Sequence, residues 1–187
     1  MPEIGTALVT LATATVTGGV ALLGVFITNR AAAQRTHEQR LYEAKERERE
    51  ELLTKAEELY QLTDKWLSGF STNFLHLAPV MRGQYDYNTY LDSIIDYGKS
   101  QESKFVRIEM LIAIYFEDLR KPYEGVLSHR EAFGKIVGAH KEAYKQGEIA
   151  AERFIEPFTK ATLALDSAGE ALKHAIAATA RTIVKAP

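Results

Sequence analysis

Cysteine is absent from the 187 residues. That excludes disulfide staples, thiolate zinc sites and cysteine nucleophiles. It says little about compartment, because a reducing cytoplasm permits thiols without requiring them. Proline and glycine are scarce, five and twelve residues, and they fall where helices would end. Net charge is −2, so no global excess points to nucleic acid or to anionic lipid. His37, His76, His129, His140 and His174 are scattered, and no HExxH or paired ExxH pattern links them. The glycines form no phosphate-binding loop. Ser128 beside His129 is adjacency in sequence, which does not set a nucleophile against a base. The expectation is a chain that is no enzyme, with no catalytic residue, metal site or cofactor.

One long apolar run is present. Ile4 to Thr28 carries no charged residue. As an α-helix its 25 residues would span ~37 Å, enough for a ~30 Å hydrocarbon core with some tilt. A helix is required there, since lipid offers backbone groups no hydrogen-bond partner. A cleaved signal peptide is the rival reading, and Ala31-Ala32-Ala33 offers small residues for cleavage. Against it, Met1-Pro2-Glu3 has no basic residue and the apolar run is too long. Arg30, Arg35 and Arg40 come after the run, while one Glu precedes it. The basic side stays in the cytoplasm. The expected location is therefore a bacterial inner membrane, single-pass, with the N-terminus outside and the C-terminal bulk cytoplasmic.

The run is rich in threonine. Thr6, Thr10, Thr13 and Thr17 recur at 4-3-4 spacing, and Val20, Gly24 and Ile27 continue the stripe. Thr10, Ala14 and Gly18 form a second stripe of small residues. Such faces let membrane helices approach closely and hydrogen-bond across, which points to a homo-oligomer. Alternatively each Thr bonds its own i−4 carbonyl and the helix stays single. In a ring, Thr6, Thr10, Thr13 and Thr17 would line a polar pore, with Val20, Gly24 and Ile27 at an apolar constriction able to gate by dewetting.

No helix breaker separates the apolar run from residues 30–51. These alternate Glu with Arg or Lys and carry almost no apolar face, as in a solvated helical stalk. An apolar stripe begins at Leu52 and continues through Ala56, Leu59, Thr63, Trp66 and Phe70. The spacing predicts one helix running to about residue 69, then a short helix and a loop around Pro79 and Gly83. Further helices are expected at about 88–117, with Leu91, Ile94, Ile95, Phe105, Ile108, Leu111, Ile112 and Tyr115 inward and Gly98 a possible break. Others are expected at about 120–146, stopped by Gly147, and at about 148–184, where Pro157 should start or kink the helix. The fold class is all-α: a transmembrane segment (1–29), a charged stalk (30–51) and a cytoplasmic bundle of four to five helices (52–187).

Charge is unevenly spread along the bundle. Residues 84–119 carry seven acids and three bases, whereas residues 120–147 carry six bases and three acids. Arg120, Lys121, Arg130, Lys135, Lys141 and Lys145 share that helix with Tyr123 and Tyr144. Bases interleaved with aromatics suit a single-stranded nucleic acid or nucleotide ligand, with the cations on phosphate and the rings on bases. The competing reading packs this helix on its acidic neighbour with the aromatics in the core. Three excess charges make a small electrostatic footprint.

The step from GVFITNR into RTHEQRLYEAKERERELLTKAEELY, with RIEMLIAIYFEDL further along, resembles widespread uncharacterised bacterial single-pass membrane proteins with a charged stalk and a helical bundle. Those proteins commonly carry Leu-Tyr-Phe-Pro-Glu-Leu. Here Ile114-Tyr115-Phe116-Glu117-Asp118-Leu119 stands in its place, without the Pro. The architecture is also similar to small membrane effectors of antiphage defence, such as the channel-like effector of the Hailong system. That resemblance implies an oligomer held closed by single-stranded DNA. Two functions are expected on these grounds. One is an oligomeric membrane effector, a pore or ion channel gated by a ligand on its cytoplasmic bundle. The alternative is a membrane-tethered adaptor or scaffold that binds a protein partner and forms no pore.

Overall fold

The computed structural model describes the backbone of residues 3–185 and the side chains of residues 29–30, 34–94 and 104–185. Four α-helices succeed one another: α1 (Glu3–Met81), α2 (Tyr87–Tyr115), α3 (Arg120–Lys145) and α4 (Ile155–Lys185). Short 3-10 turns at Glu117–Leu119 and Glu152–Phe154 lead into α3 and α4. No strand occurs among the described residues. The all-helical class is therefore as expected. The chain divides into two units, Met1–Glu48 and Arg49–Pro187.

In the first unit the side chains at 34–45 are all exposed. Local contacts serve the helix itself. Gln39 Nε2 donates to Glu43 Oε1 at 2.9 Å, and Arg47 Nε donates to the Glu43 carbonyl at 3.2 Å. Among the described residues no helix is long and apolar enough to cross a membrane. The run 4–28 has a helical backbone, but its side chains lie outside the described residues. The expected pore-lining positions Thr6, Thr10, Thr13, Thr17, Val20, Gly24 and Ile27 therefore lie outside the described side chains, as does Ile95 in the second unit.

The second unit is an up-down-up-down bundle built from the rest of α1 with α2, α3 and α4. Cross-helix pairs set the directions. Lys173 reaches Asp64, and Phe158 stacks on Phe74, so α4 runs antiparallel to α1. Arg107 reaches Glu58 and Tyr90 reaches Asn73, so α2 does too. Phe105 meets Tyr123 while Tyr87 meets Tyr144, which sets α3 antiparallel to α2. Short connections select this arrangement. A ladder of aromatic rings fills the centre. Trp66 meets Phe70 edge-on at 5.5 Å, Phe70 meets Phe133 at 5.5 Å, and Phe133 meets Phe158 at 5.0 Å. Tilted and edge-on rings are the preferred geometry for such pairs.

Two element boundaries differ from the sequence reading, and the break allowed at Gly98 does not occur. α1 does not stop near residue 69 but continues to Met81 with Pro79 inside it. Phe70, Phe74, Leu77 and Met81 prolong the apolar stripe at 4-3-4 spacing, and burial of Leu77, Val80 and Met81 overrides the proline. α1 then closes on Gly83 at φ +68°, with Gly83 N–H donating to Val80 O and Gln84 N–H to Pro79 O, both at 2.9 Å. This pair of hydrogen bonds is a Schellman ending. α2 passes through position 98 without interruption. α4 starts at Ile155, because Pro157 fits a first turn, where its missing N–H costs nothing. Residues 148–154 are consequently connection, not α-helix.

Candidate ligand-binding surfaces

α3 turns Tyr123, Val126, Phe133, Val137, His140 and Tyr144 to one side, buried or half-buried at 3-4 spacing, with the exposed Arg130 in the same register between Val126 and Phe133. That spacing decides the fate of the expected nucleic-acid site. Tyr123 is buried against Trp66 and Phe105, so it presents no open face to a base. Burial also raises its phenolic pKa. The Tyr144 hydroxyl accepts the Tyr87 amide proton at 3.3 Å, and its ring rests 5.2 Å from that of Tyr87. This packing of the two tyrosines matches the competing reading, in which the aromatics of this helix lie in the core. Their place on the apolar stripe puts both in internal packing.

The cations are distributed among local partners. Arg120 grips Glu117 through Nε and Nη2 at 2.6 and 2.8 Å. Lys135 lies 2.8 Å from Glu131, and Lys145 2.8 Å from Glu142. Those hydrogen bonds hold the Glu117, Glu131 and Glu142 carboxyls below their ordinary values. Lys121 and Lys141 stand exposed. Arg130, itself exposed, lays its guanidinium over Phe105 with Cζ 4.8 Å from the ring centre. Arg130, Lys135, Phe105, Leu127, Glu131 and Gly134 border an open notch of about 600 Å³ between α2 and α3. This notch brings together two of the expected ligand residues, Arg130 and Lys135. Glu131 contributes an acid to it, which works against an anionic ligand.

A second surface was not anticipated. Between α1 and α4, Ser71, Phe74, Leu75, Thr159, Thr162 and Leu163 line a groove of about 270 Å³. Phe74 stacks on the fully buried Phe158 beneath it, with ring centres 5.2 Å apart. Thr159 and Thr162 turn their hydroxyls to the Ile155 and Phe158 carbonyls, each at 2.8 Å, leaving their methyls outward. Leu75 and Leu163 on its rims are 70% and 63% exposed. Sequence reading missed it because α1 was expected to end before Ser71. Leu75 and Leu163 also lie off the inward stripes, and that was the available signal.

Ion pairs between helices anchor the same bundle. Arg107 donates to both Glu58 oxygens, at 2.6 and 2.8 Å. Lys173 sits between Asp64 and Glu170, at 2.8 and 2.7 Å, and this raises its pKa. No group of three or more His, Cys, Asp or Glu side chains able to hold a metal occurs among the described residues. Compared with protein-family models, curated proteins and solved structures, the chain matches none.

Proposed function

We propose that the chain is a single-pass protein of the bacterial inner membrane whose cytoplasmic helical bundle works by binding a protein, the membrane segment serving as tether. The exposed apolar groove between α1 and α4 supports this reading best. Two antiparallel helices with large aliphatic rims and an aromatic floor suit one or two apolar side chains of a partner's amphipathic helix. Leu75 and Leu163 stand in water in the free bundle, and their burial would favour docking. The charged side of α3 supports a ligand less well. Three of its cations, Arg120, Lys135 and Lys145, are engaged by acids of nearby residues, and its tyrosines are engaged inside.

A photo-crosslinking residue placed at Leu163 in the full chain, in its own cells, tests the assignment. Position 163 should give a discrete adduct, position 135 on the opposite charged face should give none, and Leu75→Glu should abolish the adduct at 163. A crosslinking pattern identical at both positions overturns the groove.

The second reading is an oligomeric pore, an effector in the style of antiphage defence. The threonine stripe of residues 6–17 favours it, with Val20, Gly24 and Ile27 as constriction. Induced expression should then depolarise a bacterial membrane, whereas a tether leaves the potential unchanged.

A further inference from the structure

His140 occupies an unusual position at the end of the bundle where α2 begins and α3 ends. It is 0% exposed, and neither Nδ1 nor Nε2 has a hydrogen-bond partner. Three rings enclose it. Tyr87 lies nearly parallel at 6.0 Å, Phe154 meets it edge-on at 5.6 Å, and Tyr144 is tilted at 6.4 Å. These rings belong to three different segments: the first turn of α2, the last turn of α3 and the 3-10 turn before α4. Two backbone-level links cross the same junction. Tyr87 N–H donates to the Tyr144 hydroxyl, and Ala151 N–H donates to the Met81 carbonyl at 2.9 Å. The imidazole is thus the hub that holds the 146–154 connection against the start of α2 and the end of α1.

A neutral imidazole is tolerated there, whereas an imidazolium is not. The cage offers the charge no acceptor, and burying an unpaired charge is costly. Burial accordingly pulls the His140 pKa below its ordinary value, opposed only in part by the Glu148 carboxylate. The charged groups around the junction are largely committed. Glu148 is held by Arg153 at 2.6 Å, Glu142 by Lys145, and Glu156 by Lys160. Asp86 caps α2 through Thr89, while His76 on α1 and Arg82 in the turn after it face solvent. Tyr87, itself shifted upward by burial, stays neutral throughout.

We propose that the His140 cage is an acid-operated latch, closed while the imidazole is neutral and opened when protonation drives the ring out towards Glu148 and the carbonyls ending α3. Those carbonyls carry the negative end of the helix dipole and would receive the cation. The direction comes from linkage. Between the ordinary imidazole pKa of about 6.5 and the lowered folded value, the open state binds a proton that the closed state does not. The latch is therefore fully closed above that range and loosens as pH falls through it.

Hydrogen exchange on the full chain in detergent tests the latch. After correction for intrinsic rates, amides of 82–90 and 146–154 should exchange several-fold faster at about pH 5.5 than at about pH 7.5, up to the roughly tenfold ceiling that one proton with an open-state pKa of about 6.5 allows. His140→Phe keeps a ring in the cage and removes the proton site, so it should keep its protection at both pH values. Equal protection of the native chain at the two pH values, or the same loss in His140→Phe, overturns the proposal. Should that variant not fold, NMR titration of the His140 ring in the native chain decides. A midpoint below that of free imidazole, with the Tyr87 and Phe154 rings shifting together, supports the latch, and a midpoint at or above it overturns it.

Discussion

Phe158 is fully buried between the rings of Phe74 and Phe133, and its removal would open the centre of the aromatic ladder. Phe158→Ala should lower unfolding stability by about 3–5 kcal/mol, read as a shift in denaturant midpoint. Gly169 is a subtler case. A Cβ there would run into the δ-methyls of Leu67, so α4 approaches α1 closely only because nothing projects from this position. Gly169→Ala should be nearly neutral, since the helix propensity gained, about 1 kcal/mol, opposes the shift forced on Leu67. Gly169→Leu should cost about 1–3 kcal/mol by overpacking. Thermal melts of the pair separate a propensity effect from a steric one. At this scale the expected ligand site shows what was legible. Tyr123 and Tyr144 were identified by residue type, yet the 3-4 spacing they share with Val126, Phe133 and His140 already marked them as inward. Spacing, read before chemistry, would have sent the two tyrosines to the core. It could not have revealed that Arg130 finds Phe105 on the neighbouring helix, because that contact depends on how α2 and α3 pack.

Two helices end on the same device, and only one of the two endings was readable. Gly147 at φ +93° closes α3, with its N–H donating to Tyr144 O at 3.0 Å and Glu148 N–H to Ala143 O at 3.1 Å. Its position directly after Lys145 and Gln146 matched the glycine stop expected from sequence. Gly83 closes α1 in the same manner, but Pro79 drew the expected end too early. A proline four residues before the stop removes one helical hydrogen bond, and burial of Leu77, Val80 and Met81 outweighs that loss. Such a balance is a property of the packed bundle, so residue identities alone do not fix it. Side chains forced into left-handed backbone cost about 1–2 kcal/mol. Gly147→Ala should destabilise by about that amount, since nothing lies near its missing Cβ. Gly83→Ala should cost more, because its Cβ would also stand 3.2 Å from the Ala150 Cβ. Comparing the two melting shifts isolates the contact from the conformational strain. Pro157→Ala should change stability by about 0.5 kcal/mol or less, because a first-turn proline breaks no bond.

At the scale of the molecule, the two proposed readings assign residues 4–28 different work: a tether that holds the bundle at a membrane, or a pore that conducts through it. Orientation comes first. With Arg30, Arg35 and Arg40 held inside, a reporter fused after Pro187 should be active only if it functions in the cytoplasm, and an active periplasmic reporter reverses the assignment. The pore reading then makes a directional claim about two sides of one helix. Thr10, Thr13, Thr17, Val20 and Gly24 fall on the axial stripe of a symmetric ring, while Leu8 and Leu22 fall away from it. Thr13→Leu or Thr17→Leu would make the axis apolar and bulky, abolishing conductance in planar bilayers while leaving insertion intact, since Leu favours the bilayer. A polar residue at Val20 or Gly24 would wet the constriction and raise leakage and toxicity. Equivalent changes at Leu8 or Leu22 should leave both unchanged. A tether predicts a different pattern: all these variants behave alike, the protein is monomeric in mild detergent, and only changes at Leu75 or Leu163 disturb its action. Because the two patterns depend on different residues in different units of the chain, one set of variants measured for conductance and for crosslinking at position 163 decides between them.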